Sequence, residues 1–145
     1  MSKTNVEGSV TINASPEKIL EVLEDIEHAP EWVPSLHTVK DIKGKGAGCT
    51  YTWMYKIGPA NIEGKVEITE SSIEQFVMKT EGSVKSYWTW EMGRKGKTAT
   101  ILRLSISYDL PGNILAQVAD KLVIEKQNKK ELEQALTNLK ERLEK

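Results

Sequence analysis

The sequence has one cysteine and no long apolar run. Cys49 has no partner for an intramolecular disulfide bond, which agrees with a reducing compartment. Nowhere do eighteen apolar residues follow one another, and the residues from Met1 to Asn5 are polar. We therefore expect neither a secretion signal nor a membrane span, and these absences predict a cytoplasmic protein.

A dominant charge of one sign is also missing. The 145 residues include 20 Lys and Arg and 21 Asp and Glu, which gives a net charge of −1 at pH 7. The basic residues are scattered among acidic ones and form no block, so we expect no nucleic-acid partner. The chain contains no internal repeat, linker or low-complexity tract. We therefore expect a single domain over residues 1–145, large enough to bury a core of its own.

Groups that could hold a metal ion or a phosphate are scarce too. His28 and His37 lack the local spacing of a zinc site, and one cysteine cannot complete a tetrahedral set, so we expect no metal. Gly44, Gly46 and Gly48 imitate a phosphate-binding loop, but a strand pattern follows them where such a loop requires a helix. They indicate a hairpin, and we expect no cofactor.

The chain begins with the pattern of a strand and a helical corner. Apolar and polar residues alternate from Asn5 to Asn13, which is typical of a half-buried strand. Ser15 followed by Pro16 is typical of a helix start, and we expect this helix to end near Glu27. Pro30 disfavours helical geometry in the residue before it, so a bend and a short turn or second helix should follow.

A series of strands occupies the middle of the chain. Between Leu36 and Leu110, apolar residues recur at every second position in segments joined by short turns, one of them at Gly58 and Pro59. Short connections favour antiparallel neighbours, so we predict an antiparallel meander. Side chains predicted to face inward include Cys49, Tyr51, Trp53, Tyr55, Ile62, Val66, Ile68, Phe76, Met78, Trp88, Trp90, Met92, Leu102, Leu104, Ile106 and Tyr108.

The last third of the chain predicts a long helix from about Asn113 to Leu143. Its apolar residues fall at steps of three and four and form one stripe, which needs a surface to cover. A curved sheet that grips the helix would provide this surface and can leave a cavity. The polar stretch from Glu125 to Lys130 interrupts the stripe and faces either such a cavity or the solvent. The stripe consists of Leu115, Val118, Leu122, Leu132, Leu136, Leu139 and Leu143.

Three short stretches and this order of elements resemble a known family. The stretches are Ala14 to Glu17 with Val22 and Leu23, the turn from Ala29 to Pro34, and Tyr108 to Gly112. The sequence resembles the polyketide cyclase/dehydrase (SRPBCC) branch of the START-like superfamily. This resemblance implies an α+β helix-grip fold: a curved antiparallel sheet wrapped around a long C-terminal helix, with two short helices after the first strand.

The resemblance also implies a function, because members of the family bind apolar or amphipathic small molecules. We expect a hydrophobic ligand, such as a lipid, a polyketide or a quinone-like compound, to bind between sheet and helix. The inward-facing aromatic residues either line this cavity or pack as core. The candidate ligand-binding residues are Tyr51, Trp53, Tyr55, Trp88, Trp90, Tyr108, Leu115 and Leu122.

Some members of the family catalyse cyclisation, so a cyclase or dehydratase is an alternative. Such chemistry needs a group that transfers protons, for which the candidates are Tyr51, Tyr55, His37 and Tyr108. The predicted inward faces hold few groups that titrate near neutral pH, and we assign no catalytic residue. His37 and Cys49 could form a base and a nucleophile, but without an orienting acid an inert buried thiol is the better interpretation.

A protein-binding adaptor of the same fold is the third alternative, since a few similar domains contact partner proteins. Its binding surface would be exposed apolar residues of the outer sheet face, such as Ile73 or Ile101. Trp32, in the turn between two prolines, is expected to lock the helical corner in place.

Overall fold

The computed structural model describes residues 3–57, 59–116 and 121–144. In this part of the chain a curved seven-stranded antiparallel sheet holds the long C-terminal helix, which confirms the predicted α+β architecture. The elements in chain order are β1 (Lys3–Ile12), α1 (Pro16–Glu24), a 3₁₀ helix (Ile26–Glu31), β2 (Leu36–Lys43), β3 (Thr50–Ile57), β4 (Ala60–Ser71), β5 (Gln75–Gly82), β6 (Lys85–Lys95), β7 (Ala99–Asp109), α2 (Gly112–Leu115) and α3 (Lys121–Leu143).

The strand order of the sheet is β1-β7-β6-β5-β4-β3-β2. The strands from β2 to β7 pair with their neighbours in sequence, which confirms the predicted meander. β1 pairs with β7, and Val6 lies opposite Ile106. β1 and β2 therefore follow each other in the chain but lie at opposite ends of the strand order. The turn predicted at Gly58 lies outside the described residues.

The helical corner begins as predicted. Ser15 is extended, and its hydroxyl oxygen accepts a hydrogen bond from the backbone N–H of Lys18 at 3.3 Å, while Pro16 occupies the first helical position. The helix ends at Glu24, so the prediction of an end near Glu27 was wrong. From Asp25 onward, bonds between residues three apart replace the α-helical pattern, and the resulting 3₁₀ helix contains Pro30.

The C-terminal helix differs from the prediction in its first half. The structure has a short α2, a turn at Ala116 and then the 23 residues of α3, while Val118 lies outside the described residues. Leu122 is 66% exposed, whereas Ile124 is buried. Residues two positions apart in an α-helix point in directions about 200° apart, so Leu122 and Ile124 lie on opposite sides of α3. Ile124 lies on the side that faces the sheet, and the inward prediction for Leu122 was wrong. The second half of the stripe is buried as predicted, at Leu132, Leu136 and Leu139.

Helix α3 packs closely against β1. A Cβ added at Gly8 would lie 2.8 Å from Cδ2 of Leu132, so the glycine allows the helix to approach the strand. Polar contacts fix the same packing: Lys140 Nζ donates to the carbonyl oxygen of Thr11 at 2.8 Å. The backbone N–H of Asn13 donates to a carboxylate oxygen of Glu144 at 2.7 Å.

The core fills the space between the inner face of the sheet and the helices. The predicted inward faces are confirmed on β3 and β4, where Tyr51, Trp53, Ile62 and Val66 are buried. Trp32 is buried as well. Its ring meets Trp90 edge to face at 5.7 Å between centroids, and its carbonyl oxygen accepts a hydrogen bond from Asn138 Nδ2 at 3.0 Å. These contacts tie the helical corner to both the sheet and α3.

Candidate ligand-binding site

A cavity lies between the sheet, helix α3 and the loop that precedes β2, and we call it the outer cavity. Its volume is about 80 Å³, whereas a single water needs roughly 10–15 Å³. The exposed Lys56 and the partly exposed Glu131 are its charged wall residues. Its wall is formed by Val6, Val33, Pro34, Ser35, Leu36, Trp53, Tyr55, Lys56, Val84, Ser86, Trp88, Leu104, Ile106, Tyr108, Asn128, Glu131, Leu132 and Ala135.

A second, smaller space lies next to the outer cavity, and we call it the inner cavity. Its volume is about 30 Å³. Trp53, Trp88, Val33 and Leu36 line both cavities, so these side chains form the partition between them. The rings of Trp53 and Trp88 meet at 5.3 Å between centroids in an edge-to-face contact. The remaining wall of the inner cavity consists of Leu23, Ile26, Ala29, Trp32, Tyr51, Phe76, Met78 and Trp90.

The predicted ligand-binding residues divide between these spaces. Four of them, Trp53, Tyr55, Trp88 and Tyr108, line the outer cavity. Tyr51 and Trp90 line only the inner cavity. The side chain of Leu115 lies outside the described residues. Leu122 is exposed on α3 and belongs to neither wall.

A hydrogen bond joins β7 to α3 at the outer cavity. Asn128 Nδ2 donates to the hydroxyl oxygen of Tyr108 at 2.8 Å. Asn128 belongs to the polar stretch of the long helix, so at this residue the stretch faces the cavity. Lys126, Gln127 and Lys130 of the same stretch are not buried, and Lys126 and Gln127 lie on the outer side of the helix. The polar stretch therefore faces the cavity on one side of the helix and the solvent on the other.

The loop before β2 is held in an unusual conformation. Ser35 has φ of 67°, in the left-handed region that non-glycine residues rarely adopt. Its carbonyl oxygen accepts a hydrogen bond from the backbone N–H of Lys56 at 3.0 Å. This bond fixes the loop to the end of β3, where both segments form the cavity wall.

Burial keeps the cavity tyrosines protonated. It raises the pKa values of Tyr51 and Tyr55 well above 10. Burial also raises the pKa of Tyr108, although the hydrogen bond from Asn128 opposes this shift. At neutral pH the three side chains offer hydroxyl groups that donate and accept hydrogen bonds, and none of them is a base.

Asn128 and Ser86 are polar residues of the wall that the sequence analysis did not single out. Asn128 lies four residues before Leu132, which places both on one face of the helix, so helical spacing could have found it. Ser86 lies two residues before Trp88 on the same strand face, and the period of a strand could have found it. Ser86 Oγ accepts a hydrogen bond from Trp88 Nε1 at 3.2 Å and lies 2.5 Å from the hydroxyl oxygen of Thr80.

The hypothetical pair of His37 and Cys49 is not assembled. The register of β2 and β3 pairs Leu36 with Tyr55 and Lys43 with Thr50, so the two residues lie near opposite ends of the hairpin. Cys49 is buried, and burial raises the pKa of its thiol, which favours the inert form. Within the described residues, no group of three or more His, Cys, Asp or Glu side chains could hold a metal ion. No helix in the same part of the chain is long and apolar enough to span a membrane.

Comparison with known families gives the same fold. The family model described as polyketide cyclase / dehydrase and lipid transport matches residues 3–144, nearly the whole chain. The chain belongs to this family. No curated protein sequence matches it, whereas many solved structures do.

Three of these structures show how far the likeness extends. TTHA0849 from Thermus thermophilus is 21% identical, with a TM-score of 0.78 and 97% of each chain covered. A START superfamily protein from Mycobacterium smegmatis is 17% identical, with the same TM-score and coverage. The ZhuI aromatase/cyclase from Streptomyces sp. R1128 is 15% identical over 99% of this chain and 94% of its own, with a TM-score of 0.72. At these identities the likeness is one of fold, and it confirms the START-like, helix-grip architecture.

Proposed function

We propose that this protein binds a hydrophobic or amphipathic small molecule in the outer cavity, of the lipid, polyketide or quinone-like kind. The observation that carries the proposal is the wall of this cavity. Aromatic and aliphatic side chains form most of it, and the bonded pair Tyr108 and Asn128 provides a polar group that can orient a ligand. The family description, which includes lipid transport, supports the same function.

The available space favours a compact ligand or one that widens the cavity. Pockets for drug-sized molecules hold about 300–1,000 Å³, which is more than these side chains leave open. Tyr55 and Trp88 are only partly buried. Rotation of these two side chains would change the shape of the cavity without moving a strand.

Catalysis is less well supported than binding. Cyclisation and dehydration need a group that gives or takes a proton near neutral pH. Among the described wall residues of the outer cavity, the titratable side chains are Tyr55, Tyr108, Lys56 and Glu131. Burial moves the pKa values of both tyrosines away from neutrality. ZhuI is an aromatase/cyclase of similar fold, but a similar fold does not assign its activity to this chain.

The test is native mass spectrometry of the purified protein, followed by denaturing extraction of any bound compound. A reproducible apolar mass that raises the melting temperature when added back would support the proposal. At a hundred times Kd, a ligand that binds only the native state stabilises it by about 2.7 kcal/mol.

A matched pair of variants shows where such a compound binds. Ala135 is a buried wall residue of the outer cavity, and Ala135→Leu fills part of the space. Ala47 is exposed in the loop between β2 and β3, so Ala47→Leu serves as the control. The proposal predicts loss of binding in the first variant alone. A protein that stays empty and unshifted with lipids, quinones and polyketide-like aromatics would instead favour the adaptor, through exposed residues such as Ile73 and Ile101.

A further inference from the structure

Three tryptophans that line the inner cavity have indole N–H groups without an acceptor in the described part of the chain. The indole N–H groups of Trp32, Trp53 and Trp90 are buried, and none has a hydrogen-bond partner among the described residues. Trp88 differs, because its N–H donates to Ser86. Buried tryptophan N–H groups normally have an acceptor, and leaving one without an acceptor is unfavourable.

Packing separates the three donors. The Nε1 atom of Trp53 lies against β4, where a Cβ added at Gly64 would be 2.9 Å from it. Trp32 and Trp90 meet edge to face, with ring planes at 68°. In such a pair only one ring presents its edge to the face of the other, so an N–H···π contact can satisfy at most one of the two groups. At least one N–H of this pair is therefore left without an acceptor among the residues that the structure describes.

The rest of the wall offers little to accept these donors. Its described side chains include no carboxylate, amide or imidazole. The wall has the thioether of Met78, a weak acceptor, and the hydroxyl of Tyr51, which burial keeps protonated. The chemical character of the inner cavity is therefore apolar with N–H and O–H donors.

An oxygen atom without hydrogen fits this wall better than a water molecule. The volume of about 30 Å³ suffices for one small group. A buried water needs two to four partners and must also donate, and among the described side chains of the wall only the hydroxyl of Tyr51 and the weakly accepting thioether of Met78 could receive its hydrogens. A carbonyl oxygen accepts two hydrogen bonds and donates none.

We propose that the ligand of this protein carries a ketone-type carbonyl oxygen that enters the inner cavity and accepts a hydrogen bond from Trp32 or Trp90. This inference rests on the proposed function, because the same molecule occupies the outer cavity with its apolar part. Trp53 and Trp88 form the partition, and a rotation of the partly buried Trp88 ring would join the two spaces. The inner cavity then distinguishes ligands by a single oxygen atom.

The experiment compares three probes with one carbon skeleton: tetralin, 1-tetralone and 1-tetralol. Binding is measured by titration of tryptophan fluorescence, and the indole N–H signals are followed in ¹H–¹⁵N spectra of the unaltered protein. We expect 1-tetralone to bind roughly tenfold more tightly than tetralin, because one additional hydrogen bond contributes about that much to affinity. We expect 1-tetralol to bind less tightly than 1-tetralone. We expect 1-tetralone, but not tetralin, to move the indole proton of Trp32 or Trp90 downfield.

Variants locate the donor. Trp90→Phe and Trp32→Phe each remove one N–H and keep an aromatic ring, and at least one of them should abolish the preference for the ketone. Trp88→Phe is the matched control: it changes the wall, but its N–H is already bonded to Ser86. It should weaken the binding of 1-tetralone and of tetralin by the same factor, so that the ratio of their affinities is retained.

The outcomes separate this inference from the proposed function. Equal binding of all three probes, with unmoved indole signals, overturns the carbonyl site and leaves ligand binding in place. Absence of binding for all three up to their solubility overturns the carbonyl site, and the native mass spectrometry described above then decides the proposed function by itself. The spectra of the unaltered protein decide the question even if a tryptophan variant fails to fold.

Discussion

Trp53 lies directly opposite Gly64 in the register of β3 and β4, and its indole ring covers the glycine. A Cβ at Gly64 would be 2.9 Å from Nε1 of Trp53 and 3.1 Å from the carbonyl oxygen of Glu81. The ring thus fills the place that a side chain on β4 would occupy. Because Gly64 has no side chain, the ring of Trp53 can lie against β4 and separate the two cavities.

Gly64→Ala is predicted to destabilise the protein by about 1–3 kcal/mol, because a methyl group in this space forces a rigid ring or a strand to move. Gly93→Ala is the control, since a Cβ there meets nothing within 4 Å and the glycine has no unusual φ. The control should change stability by less than about 1 kcal/mol. Urea denaturation measures both. Equal midpoints for the two variants would contradict the close packing of Trp53.

The bond between Tyr108 and Asn128 is predicted to couple β7 to α3. Tyr108→Phe and Asn128→Ala each remove one partner, and a double-mutant cycle isolates the interaction between them. We expect a coupling energy of about 0.5–1.5 kcal/mol in urea denaturation, as for other partly buried neutral pairs. Additive effects of the two substitutions would show that the bond contributes nothing to stability.

Thr100 provides a third prediction. Its side chain is fully buried, and its hydroxyl donates to the carbonyl oxygen of Ala14 at 2.7 Å, which joins β7 to the corner between β1 and α1. Thr100→Val keeps the shape but leaves that carbonyl without its partner, so stability should fall by about 1–3 kcal/mol. Thr100→Ser retains the hydroxyl and tests the role of the bond. The hydrogen bond is unimportant if the serine variant is as unstable as the valine variant in thermal unfolding.

The buried tyrosines predict a loss of stability at high pH. The pKa values of Tyr51 and Tyr55 are raised above 10 in the folded protein, so above pH 10 the unfolded chain ionises while the folded one keeps its protons. The unfolded state then binds fewer protons, and the free energy of unfolding falls by up to about 1.4 kcal/mol per pH unit for each tyrosine. Well below pH 10 these groups contribute no pH dependence.

Tyr51→Phe tests this effect through a difference in slope. Between pH 10 and 11 the free energy of unfolding of the variant should decline less steeply than that of the unaltered protein. All other groups are common to both proteins, so their contributions cancel in the comparison. Parallel curves from urea denaturation at pH 9, 10 and 11 would rule out a protonated, buried Tyr51.

The sheet could be predicted well because strand periodicity assigns each side chain to one of two faces. Trp53 and Ile62 were placed inward on this basis, and both are buried. The helix was harder, because its buried side follows from how it lies on the sheet. This is why Leu122 was assigned inward while Ile124 is the buried residue.

The candidate site depends on distances that no periodicity contains. Trp88 and Trp90 are two residues apart on one strand face, yet Trp88 lines both cavities and Trp90 only the inner one. The difference arises from the positions of the helical corner and α3 across the sheet. The missing acceptors for Trp32 and Trp90 are likewise a property of the packed molecule.

The pairing of β1 with β7 also has a consequence during synthesis. Val6 is made early, but its partner Ile106 follows about 100 residues later, which takes about 5–20 s at ordinary rates of translation. Until then β1 has neither the neighbouring strand nor α3 to cover it, and an unpaired strand is a site of aggregation. Contacts of such long sequence separation also slow folding. Conditions that lengthen this interval, such as slow translation, should therefore lower the yield of folded protein.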